Sequence, residues 1–94
     1  MATDIEYAFA SDLMSDVLTV EKENLVLITG LANLQTIRTS EMSEISCIIL
    51  ARDKRSGKEM IALAKENNMV LVESPHSVFH ISGVLFNAGI KSIY

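Results

Sequence analysis

The pattern of hydrophobic and polar positions repeats one unit three times between residues 25 and 94: a short apolar run, a polar break and an amphipathic helix. The apolar runs occupy residues 25–29, 47–51 and 69–73. Each run is too short for a buried helix, and it is too continuously apolar for a strand that exposes one face to solvent. Such runs are typical of strands that are covered on both faces, as in a parallel sheet between layers of helices.

Two further segments extend the predicted sheet. Residues 5–10 alternate apolar with small or polar side chains, which favours a first strand, and residues 90–94 favour a short edge strand. We therefore expect a single domain over residues 1–94 with an α/β fold. The expected architecture is a three-layer sandwich with a mainly parallel four- to five-stranded sheet.

Side chains that can cap a helix precede each predicted helix. Ser, Asn and Asp accept hydrogen bonds from the first free amides of a helix, and proline favours the first helical position. The third helix has a capping box, Ser56 with Glu59, and is expected to bury Met60, Ile61, Leu63 and Ala64. The predicted caps are Ser11 for residues 12–18, Asn33 for a helix to about residue 42, Ser56 for a helix ending at 67–68, and Ser74 before Pro75 for a helix closing at 87–89.

The composition points to a second copy of the chain as a partner. Hydrophobic residues make up 49% of the 94 positions, which is rich for a domain of this size. The surplus predicts a homodimer, although a sheet covered on both faces would also account for it. Apolar residues on more than one side of the last helix place the expected interface at Phe79, Val84, Phe86 and the tail through Tyr94.

The charge pattern narrows the classes of partner. The net charge is −4, yet four bases, Arg52, Lys54, Arg55 and Lys58, fall within seven residues. Nucleic-acid binding needs a more extended basic surface, so we expect no nucleic-acid partner.

One cysteine, Cys47, excludes an internal disulfide, and no apolar run reaches the length of a membrane span. Without a recognisable targeting segment, we expect a cytoplasmic protein with no membrane contact.

Candidate ligand-binding residues cluster where strands are predicted to end. Open parallel sheets bind ligands beyond the carboxyl ends of their strands, and amides at helix starts accept anions. The alternative interpretations without a ligand are that Gly30 only forms a tight turn and that residues 52–55 form a solvated charged loop. The candidate ligand-binding set is Asp12, Gly30, Asn33, Arg52, Lys54, Ser74 and His76.

Signatures of metal binding and catalysis are weak. His76 and His80 stand four residues apart, a spacing able to hold a metal, but no third ligand is evident. The Ser56-Gly57-Lys58 segment lacks the first glycine and the final Ser or Thr of a phosphate-binding loop. No nucleophile is accompanied by a base and an orienting acid. We therefore expect no metal, no cofactor and no enzymatic activity.

Nearly the whole chain resembles the small DRTGG domains. The likeness runs over residues 7–18 and 25–30, and again over 74–79 and 82–90; its most specific parts are segment 11–16 (SDLMSD) and the last helix. The chain looks most like stand-alone members that are labelled HPr-kinase-like and associated with iron hydrogenases. The resemblance implies a mainly parallel α/β domain, commonly dimeric, with a regulatory or ligand-sensing role, as in related domains beside nucleotide-sensing modules.

The resemblance also contains a departure. Where the motif of the family has Asp-Arg-Thr after the glycine, this chain has Leu31-Ala32-Asn33, so only Gly30 carries over. The leading hypothesis is a non-catalytic, dimeric regulatory or accessory domain with no kinase activity of its own, which could also bind a protein partner. The alternative is a sensor of an adenine nucleotide or another small anion. A small enzyme using Asp12 or His76 is the least supported hypothesis.

Overall fold

A five-stranded sheet forms the centre of the molecule, and all of its described pairings are parallel. The computed structural model describes residues 5–93. In spatial order the strands run β4-β3-β2-β1-β5. Their bounds are β1 Tyr7–Ala10, β2 Leu25–Thr29, β3 Cys47–Leu50, β4 Val70–Glu73 and β5 Lys91–Ser92. The predicted α/β fold, the apolar-run strands and the short edge strand at the carboxyl end are confirmed.

Four helices cover the sheet unequally among the described residues. They are α1 Met14–Val17, α2 Leu34–Met42, α3 Lys58–Glu66 and α4 Val78–Asn87. The side chains of α1, α2 and α3 pack into one core with Leu25 and Leu27 of β2. Ile81 of α4 packs into a second, smaller core with Ile28 on the opposite face. The arrangement is the expected three-layer sandwich.

The path of the chain explains why α4 lies alone. The connections from β1 through β4 each step to the neighbouring strand in the same direction, so right-handed crossovers place α1, α2 and α3 on one face. The connection from β4 to β5 returns across the whole sheet in the opposite direction. The same handedness then places α4 on the other face.

One expectation about the strands is wrong. Strand β2 is buried along its whole length, as predicted, but β4 is not covered on both faces. Helix α4 contacts β1 and β2, leaving the β4 side of that face without a helix of its own. Val70 and Val72 of β4 consequently remain 42% and 41% exposed.

The starts of three helices also differ from the prediction. Asn33 caps α2 as expected, because its side chain accepts from the Thr36 amide. Helix α1 begins only at Met14 without a side-chain cap. Gly57 rather than Ser56 precedes α3, and Ser77 rather than Ser74 caps α4.

Helix α3 follows the prediction in part. Met60 and Ala64 of α3 are buried as predicted, whereas Ile61 is 44% exposed, because it lines an open surface pocket beside Leu71 of β4. The helix ends at residues 67–68 as predicted, and Asn68 adopts the left-handed conformation that asparagine tolerates at helix ends. No helix within residues 5–93 is long and apolar enough to cross a bilayer.

Candidate functional site

The Asp12 carboxylate connects the loops after three neighbouring strands. Its Oδ1 accepts hydrogen bonds from the Gly30 amide at 2.7 Å and from Thr29 Oγ1 at 2.9 Å. Its Oδ2 lies 3.6 Å from Arg52 Nη2. The structure therefore brings together Asp12, Gly30 and Arg52 of the predicted ligand-binding set.

Local backbone structure places Asp12 in this position. Ser11 does not cap a helix; its Oγ accepts from the Leu13 amide at 3.0 Å and turns the chain directly after β1. Helix α1 starts later, so Asp12 stays in the loop and reaches across to Gly30. The predicted assignment of Asp12 to the first turn of a helix is therefore wrong, whereas its expected location at the end of the first strand is correct.

The electrostatics of this cluster favour a charged carboxylate. The hydrogen bond from the Gly30 amide lowers the pKa of Asp12, and the Thr29 hydroxyl and the Arg52 guanidinium act in the same direction. Partial burial opposes them but does not reverse the shift. An aspartate in this state is a hydrogen-bond acceptor and a poor general base near neutral pH.

Gly30 is required for the position of Arg52. The guanidinium of Arg52 lies so close above Gly30 that a Cβ there would collide with its Nη2. Arg52 and Asp53 both have positive φ values, 60° and 59°, which is unusual for residues other than glycine. This backbone turn directs Arg52 back over the sheet edge, and no sequence signal indicated it.

The crevice of the sheet lies between β3 and β4, because the loops after these strands leave towards opposite faces. Backbone hydrogen bonds join those two loops. The Arg52 amide donates to the His76 carbonyl at 2.7 Å, and the Asp53 amide donates to the Ser74 carbonyl at 2.8 Å. The place where such a sheet commonly admits a ligand is thus closed by its own backbone.

A second polar cluster, which the sequence reasoning missed, surrounds Glu73 at the end of β4. Its Oε2 accepts from the Ser56 amide at 2.6 Å, and its Oε1 lies 3.7 Å from Arg55 Nη1. The hydrogen bond from the Ser56 backbone, with the nearby Arg55 charge, lowers the pKa of Glu73. This contact replaces the predicted capping box, because Ser56 is held by β4 rather than by Glu59.

The other predicted ligand-binding residues have separate roles. Asn33 caps α2, and Lys54 is exposed in the loop after β3. Ser74 Oγ accepts from the His76 amide at 3.2 Å. The rings of His76 and His80 stack at 4.2 Å. Ser74 and His76 line an apolar pocket of about 350 Å³ beside α4, separate from Asp12 and Gly30.

A shallow pocket of about 400 Å³ adjoins the Asp12 cluster. It is lined by Asp12 and Arg52, and by Ser77 and Phe79 at the start of α4. Both Asp12 and Arg52 have about half of their side-chain surface exposed, 54% each. An anion entering this pocket would meet Arg52, but it would have to compete with Asp12 for the Gly30 amide.

The described residues offer neither an activated thiol nor a cluster of metal ligands. Within residues 5–93, no three His, Cys, Asp or Glu side chains are grouped closely enough to hold a metal ion. The Cys47 thiol is half-buried in β3, and burial raises its pKa. A thiol in this state is a weak nucleophile.

The predicted dimer residues lie on the surface, but not together. Phe79 and Phe86 are 89% and 70% exposed, and both line the groove between α4 and the β1–β5 edge. Val84 is exposed on the other side of α4, next to β4. Tyr94 lies outside the described residues. The predicted interface residues therefore lie on two different sides of α4 and do not form one continuous patch.

Comparison with known proteins gives no match: no family model, no curated protein and no solved structure is significantly similar to this chain.

Proposed function

We propose that this protein is a non-catalytic regulatory or accessory domain that works as a homodimer. One observation carries the proposal: the polar groups at the strand ends bind one another, whereas the large apolar side chains of α4 face solvent. Asp12 already accepts from Gly30 and Thr29 and lies beside Arg52. The chemistry that this surface offers is contact with another protein.

The geometry around Thr29 supports the absence of catalysis. Thr29 Oγ1 lies 2.9 Å from Asp12, which formally resembles a nucleophile beside a base. However, Thr29 is fully buried, so a substrate cannot reach its hydroxyl. The lowered pKa of Asp12 also makes it a weak proton acceptor. The contact therefore fits a structural link between β1 and β2.

The resemblance to DRTGG domains, which implies a regulatory or ligand-sensing role, favours the same class of function. The HPr-kinase-like label belongs to those domains and supplies no kinase chemistry here. A stand-alone accessory role is consistent with the loss of the Asp-Arg-Thr motif at Leu31-Ala32-Asn33, because no charged side chain remains there to bind a ligand.

An activity screen with a matched variant tests the non-catalytic role. Wild-type protein and the Asp12→Asn variant are incubated with adenine nucleotides and with model phosphate and carboxylate esters, and product release is followed. We expect no turnover above the buffer rate for either protein. Turnover by the wild type above the buffer rate would overturn the proposal, and its loss in Asp12→Asn would assign that activity to this site.

A small-anion sensor is the second candidate, and the position of Arg52 favours it. The exposed part of its guanidinium lines the shallow pocket beside Asp12 and the start of α4. A phosphate or carboxylate ligand that displaced Asp12 would gain the Gly30 amide as well. The alternative of an adenine nucleotide adds a flat base, which the exposed Phe79 ring in the same pocket could stack against.

Thermal shift measurements test this second candidate. Wild type, the double variant Arg52→Glu/Lys54→Glu and the control Lys65→Glu are each titrated with inorganic phosphate, AMP and ATP. A sensor predicts that ligand raises the melting temperature of wild type and of the control, but not of the double variant. Equal shifts in all three proteins, or no shift in any, would exclude this site.

A further inference from the structure

Helix α4 presents an uncharged outer face. None of its ten residues is Asp, Glu, Lys or Arg, whereas the exposed sides of α2 and α3 carry charges such as Arg38 and Lys65. A helix that is apolar on several sides is typical of an element covered on several sides. In this structure, however, α4 is covered only where Ile81 and its neighbours face the sheet.

The outer face of α4 combines two projections and a gap. Phe79, Gly83 and Phe86 follow one another at spacings of four and three, so they lie along one stripe of the helix. A Cβ placed on Gly83 would meet nothing within 4 Å, so the space above this glycine is open. The two phenylalanine rings stand on either side of this gap.

The stripe borders a groove with a small-residue floor. This groove, of about 380 Å³, lies between α4 and the β1–β5 edge of the sheet. Phe79 and Phe86 line it together with the small residues Ala8, Ala10 and Gly83, and Lys91 of β5 is the one charged residue among the described residues of its lining. Because β1 contributes only alanine side chains on this face, the groove is open enough to receive a large side chain.

We infer that this face binds the same face of a second copy of the chain. The two α4 helices cross where their Gly83 residues meet, and a phenylalanine ring of each copy enters the groove of the other. A two-fold axis requires a surface that complements itself, so that each projection on one copy meets a gap on the other. The Phe79–Gly83–Phe86 stripe has that property, and glycine at the crossing permits close approach of the helices.

Charge and area favour a second copy over a different protein surface. Charged side chains on a different protein would find no ion-pair partner on this uncharged helix, so burying them against it would cost free energy. An identical helix brings no charged side chain to the contact and so avoids that cost. The exposed parts of the two rings alone provide roughly 300 Å² per chain, since an aromatic side chain buries about 150–250 Å². The helix surface between the two rings adds to this buried area, which a standard interface brings to roughly 800 Å² per partner.

The inference rests on the proposed dimeric accessory function, and sedimentation velocity over a range of concentrations tests it with three proteins. The Gly83→Leu variant fills the gap while keeping the face apolar. The matched control is Gly57→Leu, because Gly57 also has open space around its Cβ position but precedes α3, away from α4. Circular dichroism checks that each variant is folded.

We expect wild type and Gly57→Leu to form equally stable dimers and Gly83→Leu to dimerise at least about tenfold more weakly. A Gly83→Leu dimer as tight as wild type would overturn the proposed crossing while leaving a dimeric accessory protein intact. A wild-type protein that stays monomeric throughout, with the face left for a different partner, would overturn both the crossing and the dimer.

Discussion

At the scale of single residues, the Asp12 carboxylate ties the loop after β1 to the loops after β2 and β3. It accepts from Gly30 and Thr29 and faces Arg52 at 3.6 Å. Hydrogen bonds to a charged acceptor are stronger than neutral ones, but half of this side chain is exposed, so solvent screens the contribution of Arg52. The two hydrogen bonds therefore carry most of the stabilisation.

This cluster predicts a pH-dependent contribution to stability. The pKa of Asp12 is lowered in the folded protein, so its stabilisation is present above the unfolded pKa and is lost as pH falls through the folded value. Asp12→Asn should lower the free energy of unfolding at pH 7 by about 1 kcal/mol. Below about pH 4 the difference from wild type should shrink, because wild-type Asp12 becomes neutral as well. Urea unfolding at several pH values measures both effects.

The exposed Asp16 of α1 provides the control for that experiment. Asp16→Asn should change stability by less than about 0.5 kcal/mol, as is usual for an exposed surface position. A difference between Asp12→Asn and wild type that stays constant from pH 7 to strongly acidic conditions would contradict a stabilising carboxylate.

Gly30 and Arg52 should be energetically coupled. In Gly30→Ala the new Cβ collides with the end of the Arg52 side chain, which can move aside and so leaves its place near Asp12. We expect Gly30→Ala to destabilise wild type modestly and to be neutral or stabilising once Arg52→Gln has removed the guanidinium. A double-mutant cycle by urea unfolding should give a coupling of roughly 0.5–1 kcal/mol.

Gly57→Ala is the matched glycine control for the cycle, since a Cβ there meets nothing. It should show no coupling to Arg52→Gln. If the effects of Gly30→Ala and Arg52→Gln on stability were additive, the position of the Arg52 guanidinium would not depend on the absence of a Cβ at residue 30.

At the scale of secondary-structure elements, the start of α4 shows how tertiary contacts override a local signal. Ser74-Pro75 is a strong sequence signal for a helix start, yet the helix begins four residues after Ser74. The Ser74 and His76 carbonyls accept from the loop after β3, so residues 74–76 are held in that loop contact. Ser77 is the first capping residue that follows, and its Oγ accepts from the His80 amide at 3.1 Å.

Two serine substitutions separate these roles. Ser77→Ala removes the observed cap of α4 and should lower the free energy of unfolding by about 1 kcal/mol. Ser74→Ala removes one hydrogen bond at an exposed bend and should cost clearly less. Thermal or urea unfolding of both variants provides the measurement. A larger loss for Ser74→Ala would mean that the helix starts where the sequence alone suggests.

The elements were predictable from the sequence to the extent that they depend on local patterns. Continuous apolar runs identified β2, β3 and β4, and Asn33 identified the start of α2, because both signals act within a few residues. The cap at Ser56 failed for the same reason as Ser74, because its amide donates to Glu73 of β4. The cap at Ser11 failed for a local reason, because its hydroxyl accepts from the Leu13 amide in a turn before α1.

The candidate site was predictable only where topology decides it. Asp12, Gly30 and Arg52 follow neighbouring parallel strands, so their meeting at one edge follows from the strand order. The left-handed turn at Arg52 and Asp53 and the contact between Ser56 and Glu73 depend on distant partners. Sequence spacing carries no information about such contacts, and for the same reason it grouped Val84 with Phe79.

At the scale of the whole molecule, three of the described helices lie on one face of the sheet and the fourth lies on the other. A helix that crosses back over β1 and β2 cannot also cover β4, so apolar surface remains open on both sides of α4. Exposed patches of this kind on a small domain mark interaction sites. The proposed homodimer through α4 would account for the hydrophobic composition, the uncharged helix and the position of Phe79 and Phe86 together.

The most direct test of this account is the oligomeric state of the wild-type protein, compared with Phe86→Asp, by sedimentation velocity from low to high micromolar concentration. Phe86 is 70% exposed, so the substitution should leave the monomer folded. The account predicts a wild-type dimer and a Phe86→Asp monomer, because the new charge would be buried at the interface. A wild-type monomer at every concentration, or a Phe86→Asp dimer as stable as wild type, would contradict it.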